Sequence, residues 1–222
     1  KELYTKENKL AARNMAAETF VLLKNQDNIL PLKKQGKIAL IGPLANTRNN
    51  IVGCWSTADD CSLYSTIYES MKRYLNGKAE VVCAQGCNVY AEKKMQDECN
   101  FGRPIEWVDE KQAEEEALAA AKDADVVVCA MGELTEMSGE SSSRSDLSLT
   151  APQMSLLKKI VEMGKPVVLL NFAGRPTILS WEQEHVNAIM NVWFGGSETG
   201  DAICDVLFGD KAPCGRLVTT MP

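Results

Sequence analysis

Two rhythms of apolar residues alternate along this chain. Ala12, Met15, Ala16, Thr19, Phe20 and Leu23 recur every three to four positions, which predicts an amphipathic helix over about 7–22. Short unbroken apolar runs then appear at 37–42, 80–84, 124–131, 166–171 and 187–194, and each reads as a strand. Between them the helical period returns. A helix is expected over 65–75, closed by Asn76-Gly77. Another is expected over 109–121, with Glu114, Glu115 and Glu116 toward its positive end. A third begins at Thr150, where Gln153 three residues on suggests a capping box and Pro152 suits the first turn. Met154, Leu157, Ile160 and Val161 form its apolar stripe, and Gly164 stops it. The last opens at Gly195-Gly196-Ser197 and runs through Leu207. Strands that are apolar throughout are covered on both faces, and strands that alternate with helices run parallel. The expected fold is therefore α/β, a three-layer α/β/α sandwich on a mostly parallel sheet, with no internal domain boundary.

In open parallel sheets, sites form beyond the carboxyl ends of the strands. That rule selects the segments after Gly42, Ala84, Met131, Asn171 and Phe194. The segment after Met131, residues 132–149, sets Glu133, Glu136 and Glu140 beside a run of serines and Arg144. A glutamate held there serves as a general acid if its pKa is raised. A solvated polar loop leading into a capped helix accounts for the same composition. The segment after Gly42 carries Gly53-Cys54-Trp55-Ser56. An indole offers a flat apolar face and one N–H donor, which suits a sugar ring. A tryptophan that plugs the sheet edge is the equal alternative. The polar stretch 85–108 is the one long loop, and loops of that length are usually functional or mobile.

Composition narrows the chemistry. A formal net charge of -6 without a basic cluster disfavours nucleic acid and anionic membranes as partners. No apolar run is long enough to cross a bilayer, and residues 1–9 do not read as a signal peptide. Both ends resemble cuts within a longer chain. Eight cysteines, among them Cys83 and Cys129 in expected buried strands, include no zinc-ribbon spacing, so neither a metal nor another cofactor is expected. Ile41-Gly42-Pro43 is not a dinucleotide turn, because Pro43 lacks the N–H that phosphate needs. Gly195 to Gly200 has no P-loop lysine, and Glu198 repels anions, so packing or a tight turn is its expected role. His185, the single histidine, has no triad partners in view and reads as a surface or packing residue.

Taken in order, Glu18 to Asn25, Leu30-Pro31-Leu32, Ile38 to Pro43 and Gly53 to Ser56 resemble the start of the second domain of family 3 glycoside hydrolases. The resemblance continues through Gly132-Glu133, Gly139-Glu140, Ser143 to Leu149 and Gln153, and closes with Trp193 to Gly200 and Gly215-Arg216-Leu217. It covers nearly all of residues 1–222. It implies a retaining β-glycosidase, β-glucosidase-like, whose preceding (β/α)8 barrel supplies a nucleophilic aspartate absent from this chain. Retention needs two carboxyl groups about 5–5.5 Å apart. The resemblance gives Glu140 the acid/base role, with Glu136 and then Glu133 as runners-up, and gives Trp55 and Arg144 contacts to substrate. It also implies a carbohydrate substrate, a barrel of the same protein as partner, a periplasmic or secreted location, and no activity from this chain alone. A non-catalytic sugar-binding or interaction module is the competing function. A flavodoxin-like nucleotide binder is a third, disfavoured by Pro43 and the missing glycine fingerprint.

Overall fold

The computed structural model describes residues 3–56, 60–98 and 104–222; Cys99 lies outside them. Six strands form one sheet: β1 (Val21–Asn25), β2 (Lys37–Ile41), β3 (Glu80–Ala84), β4 (Val126–Gly132), β5 (Val167–Phe172) and β6 (Ala188–Asn191). Seven helices accompany them among the described residues: α1 (Lys6–Thr19), α2 (Ile67–Leu75), α3 (Lys93–Glu98), α4 (Glu110–Asp123), α5 (Ala151–Glu162), α6 (Ser180–His185) and α7 (Thr199–Leu207). The strand order is β1-β6-β5-β4-β2-β3, parallel except for β1, which runs antiparallel to β6 at one edge.

The sheet is buried on both faces, and the strand residues divide by parity. Ile38, Leu40, Val128, Ala130, Val168 and Leu170 face the cluster that holds Ala16 of α1, Ile67 of α2 and Ile203 of α7. Ala39, Ile41, Val127, Cys129, Met131 and Leu169 face the cluster built by Ala117 and Ala121 of α4 and Leu157 and Ile160 of α5. This is the expected three-layer arrangement. Burial pushes the Cys129 thiol up to about 12, so it remains an uncharged part of the core. Cys83, expected to be buried, is only half-buried on the outermost strand, and desolvation still lifts its thiol to about 12.

Three local expectations are corrected. The first helix ends at Thr19 rather than 22, and Val21 starts a strand; the apolar run continues across the junction with no glycine or proline to mark it. The loop 85–108 contains the short helix α3, and α6 also went unread. The capping box at Thr150 does not form. Thr150 does occupy the cap position, but its side chain caps no backbone N–H. Gln153, fully buried, turns back to the end of β4 instead. It accepts from the Gly132 N–H at 2.8 Å and donates to the Gly132 carbonyl at 2.9 Å.

Chain order places one reversal in the sheet. After β2 the chain steps outward to β3, then crosses back to β4 on the other side of β2 and proceeds outward through β5 and β6. The crossovers therefore diverge between β2 and β4, which leaves a crevice at their carboxyl ends.

Candidate active site

The loops that leave β2 and β4 both open onto that crevice. The β2 loop is anchored from below by Leu44, Ala45, Ile51 and Val52, all buried. Asn50, fully buried, accepts the Thr135 N–H at 3.1 Å, and the Thr135 hydroxyl donates to the Val52 carbonyl at 2.7 Å. The loop after β6 joins them, since the Gly196 N–H donates to the Ile51 carbonyl at 3.0 Å and the Thr199 hydroxyl reaches the same oxygen at 3.4 Å. The glycines at 195–196 are thus part of the packing between loops.

On this laced base stand two side chains open to solvent. Trp55 is 69% exposed, within a turn closed by the Ser56 N–H donating to the Gly53 carbonyl at 3.0 Å. Glu140 is exposed at the tip of the β4 loop. Gly139 joins the two. Its φ of +105° belongs to glycine, and a Cβ built there would strike the Cys54 sulfur and stand 3.9 Å from the Trp55 ring nitrogen. The residue preceding Glu140 therefore packs against the residues that carry Trp55, and both side chains share one side of the sheet. Ser141 next to Glu140 has φ +62°, a left-handed conformation that a serine rarely adopts.

The other two carboxylates lie elsewhere. Glu136 is half-buried on a single 3-10 turn, Thr135–Met137. Glu133 is 1% exposed, and its oxygens accept from Arg144 Nη1 at 2.9 Å and from the Gly174 N–H at 3.1 Å. Arg175 Nε lies 3.2 Å from the same carboxylate. Arg144 also points inward, because its Nη2 donates to the Ser148 carbonyl at 2.8 Å. Sequence reasoning selected the segment after Asn171 but took no residue from it. The Gly174-Arg175 pair there closes around Glu133, and an arginine directly beyond a buried strand is the signal that marks it. His185 stacks on Trp181, with ring centroids 4.2 Å apart, far from this set in the fold. No cluster among the described residues has three or more side chains fit to hold a metal ion, and no described helix is long and apolar enough to cross a membrane.

Comparison with known proteins follows the same contour. The family model described as the glycosyl hydrolase family 3 C-terminal domain matches residues 20–222. The chain is 38% identical to a periplasmic beta-glucosidase of Salmonella typhimurium, over 95% of this chain and 28% of that protein. It is 30% identical to a beta-xylosidase of Formosa agariphila, over 100% of this chain and 29% of that one. Among solved structures, a beta-glucosidase from Listeria innocua superposes with a TM-score of 0.80 at 31% identity, over 99% of this chain and 27% of the other. The chain thus spans between a quarter and a third of the length of these relatives.

Proposed function

Because the chain belongs to glycosyl hydrolase family 3, as that family's C-terminal domain, we propose that it furnishes one half of a retaining β-glycosidase site, with Glu140 as general acid/base and Trp55 as a platform for the sugar ring. The observation that carries this reading is the pairing of an exposed carboxylate and an exposed indole on one laced edge, joined through Gly139. A glycosidic oxygen leaves poorly unless it is protonated as the bond breaks. Glu140 gives that proton, then takes one from the water that releases the sugar. The nucleophilic carboxylate comes from a companion barrel domain, which closes over the Trp55 and Glu140 edge. The substrate is a β-glucoside or β-xyloside, the classes named for the relatives, and the enzyme works in the periplasm or outside the cell, as the Salmonella relative's name suggests. Arg144 belongs to the site as support, since both terminal nitrogens hold protein groups.

The test is Glu140→Ala in the full-length enzyme. Substrates with poor leaving groups lose on the order of 10²–10⁴-fold in kcat/KM. Activated aryl glycosides lose far less, and azide restores turnover by attacking the glycosyl-enzyme. Equal losses on both substrate types without azide rescue, together with the expected pattern in Glu136→Ala, would move the role to Glu136.

A further inference from the structure

The loop that carries Glu140 is held at its neck by one side chain from another strand. Arg175 follows β5, yet its Nη2 donates to the carbonyls of Met137, at 2.5 Å, and Ser142, at 3.0 Å. Those two carbonyls bracket residues 138–141. The Ser142 hydroxyl tightens the same neck by donating to the Glu136 carbonyl at 2.9 Å. Arg175 is fixed in turn by Glu133, whose carboxylate lies 3.2 Å from Nε. Glu133 cannot drift, because it directly follows β4 and its N–H donates to the Phe172 carbonyl at 2.8 Å. Arg144, on the far limb of the loop, donates to the same carboxylate oxygen at 2.9 Å.

From this geometry we infer that Arg175 is a positioning residue for Glu140, clamping both shoulders of the acid/base loop to the buried carboxylate of Glu133. The inference rests on Glu140 being the acid/base. A guanidinium is suited to the task. It is planar and always charged, and it presents five N–H donors in a fixed fork, so one group reaches two carbonyls and a carboxylate together. Lysine is a point charge on a flexible stem and does not hold that geometry. The clamp matters because an acid/base group must sit within hydrogen-bond reach of the oxygen it protonates, while Glu140 itself stands exposed at the tip.

Arg175→Met, Glu140→Ala and the double variant are compared in the full-length enzyme on a disaccharide and on a dinitrophenyl glycoside. Displacing a catalytic group by about 1 Å costs about 100-fold. We expect Arg175→Met to lose about 100-fold in kcat/KM on the disaccharide. On the activated substrate kcat/KM should fall much less, in an enzyme still folded at the assay temperature although its thermal midpoint drops with the loss of one partner of Glu133. The double variant should be no slower than Glu140→Ala alone, since a clamp on an absent group has nothing left to position. If the double variant instead loses the product of the two single effects, Arg175 acts independently of Glu140 and the inference fails. Equal loss on both substrates by Arg175→Met overturns it as well. If Glu140→Ala itself discriminates poorly between leaving groups, the acid/base reading fails, an outcome visible without the arginine variants. Should Arg175→Met not fold, Arg175→Lys carries the test, and wild-type discrimination between the two substrates in that variant would refute the clamp.

Discussion

A carboxylate withdrawn from water persists only where donors replace the water. Glu133 has that replacement in the hydrogen bonds from Arg144 and the Gly174 N–H, with the Arg175 guanidinium beside it as a further ion pair. Removing it strands two cations against the sheet, and breaking a buried pair in this way costs about 3–5 kcal/mol. Glu133→Ala is therefore expected to lower the urea midpoint of the 222-residue chain by that equivalent with the m-value unchanged, which a denaturation curve measures directly. In the sequence, Glu133, Glu136 and Glu140 are three glutamates in one polar loop, and residue type does not separate them. Depth does: the first sits immediately beyond the strand and the last at the loop tip. Trp55 read equally as a sugar platform or as a plug of the sheet edge, and only its 69% exposure separates the two. Arg175 was harder, because its partners are backbone carbonyls 33 and 38 residues away.

Among the elements, strand positions were the most legible, since runs such as 126–131 contain almost nothing polar. Junctions were the least legible. A helix turns into a strand at Phe20 within one residue, and tertiary pairing with β6, not local propensity, decides the break. At the end of β4, Gly132 has φ +137°, and a Cβ there would overlap the Phe172 carbonyl. Gly132→Ala has to push β4 and β5 apart where the loop that carries Glu140 begins. It is expected to destabilise by about 3 kcal/mol or more, seen as a lowered thermal midpoint. Helix α6 hides a different liability in Glu182, which is 1% exposed with one carboxyl oxygen unpaired. Desolvation holds its pKa above the ordinary carboxylate value. A carboxyl whose folded pKa is raised favours folding below its unfolded pKa, and that advantage is lost as pH rises through the folded value. Glu182→Gln removes the titration. It should match the parent near pH 4 and exceed it at pH 8, so the gap between their thermal midpoints opens with pH.

At the scale of the molecule, the reversal between β2 and β4 gathers three carboxyl-end loops on one edge and leaves Trp55 69% exposed there. An exposed indole beside the exposed Glu140 fits the proposed edge that another domain closes. The 222-residue chain alone is accordingly expected to release no nitrophenol from a nitrophenyl β-glucoside above the buffer blank; enzyme-like turnover by the bare chain would refute the half-site reading. That these loops share one edge followed from strand–helix alternation, but their order along it and their lacing through Asn50, Thr135 and Gly196 did not, because strand order and buried bonds of that kind have no periodicity.

The antiparallel edge has a consequence for how the protein is made. Strand β1 pairs Val21 with Asn191 and Asn25 with Ala188, and Arg13 of α1 binds Asp205 of α7 in a bidentate ion pair. The first elements of this domain to leave the ribosome thus take their partners from among its last. At roughly 5–20 residues per second, translation needs about 8–30 s to travel from β1 to β6. Through that interval the apolar stretch Phe20-Val21-Leu22-Leu23 waits beside an unclosed sheet, and exposed apolar surface of that kind is open to aggregation until β6 arrives.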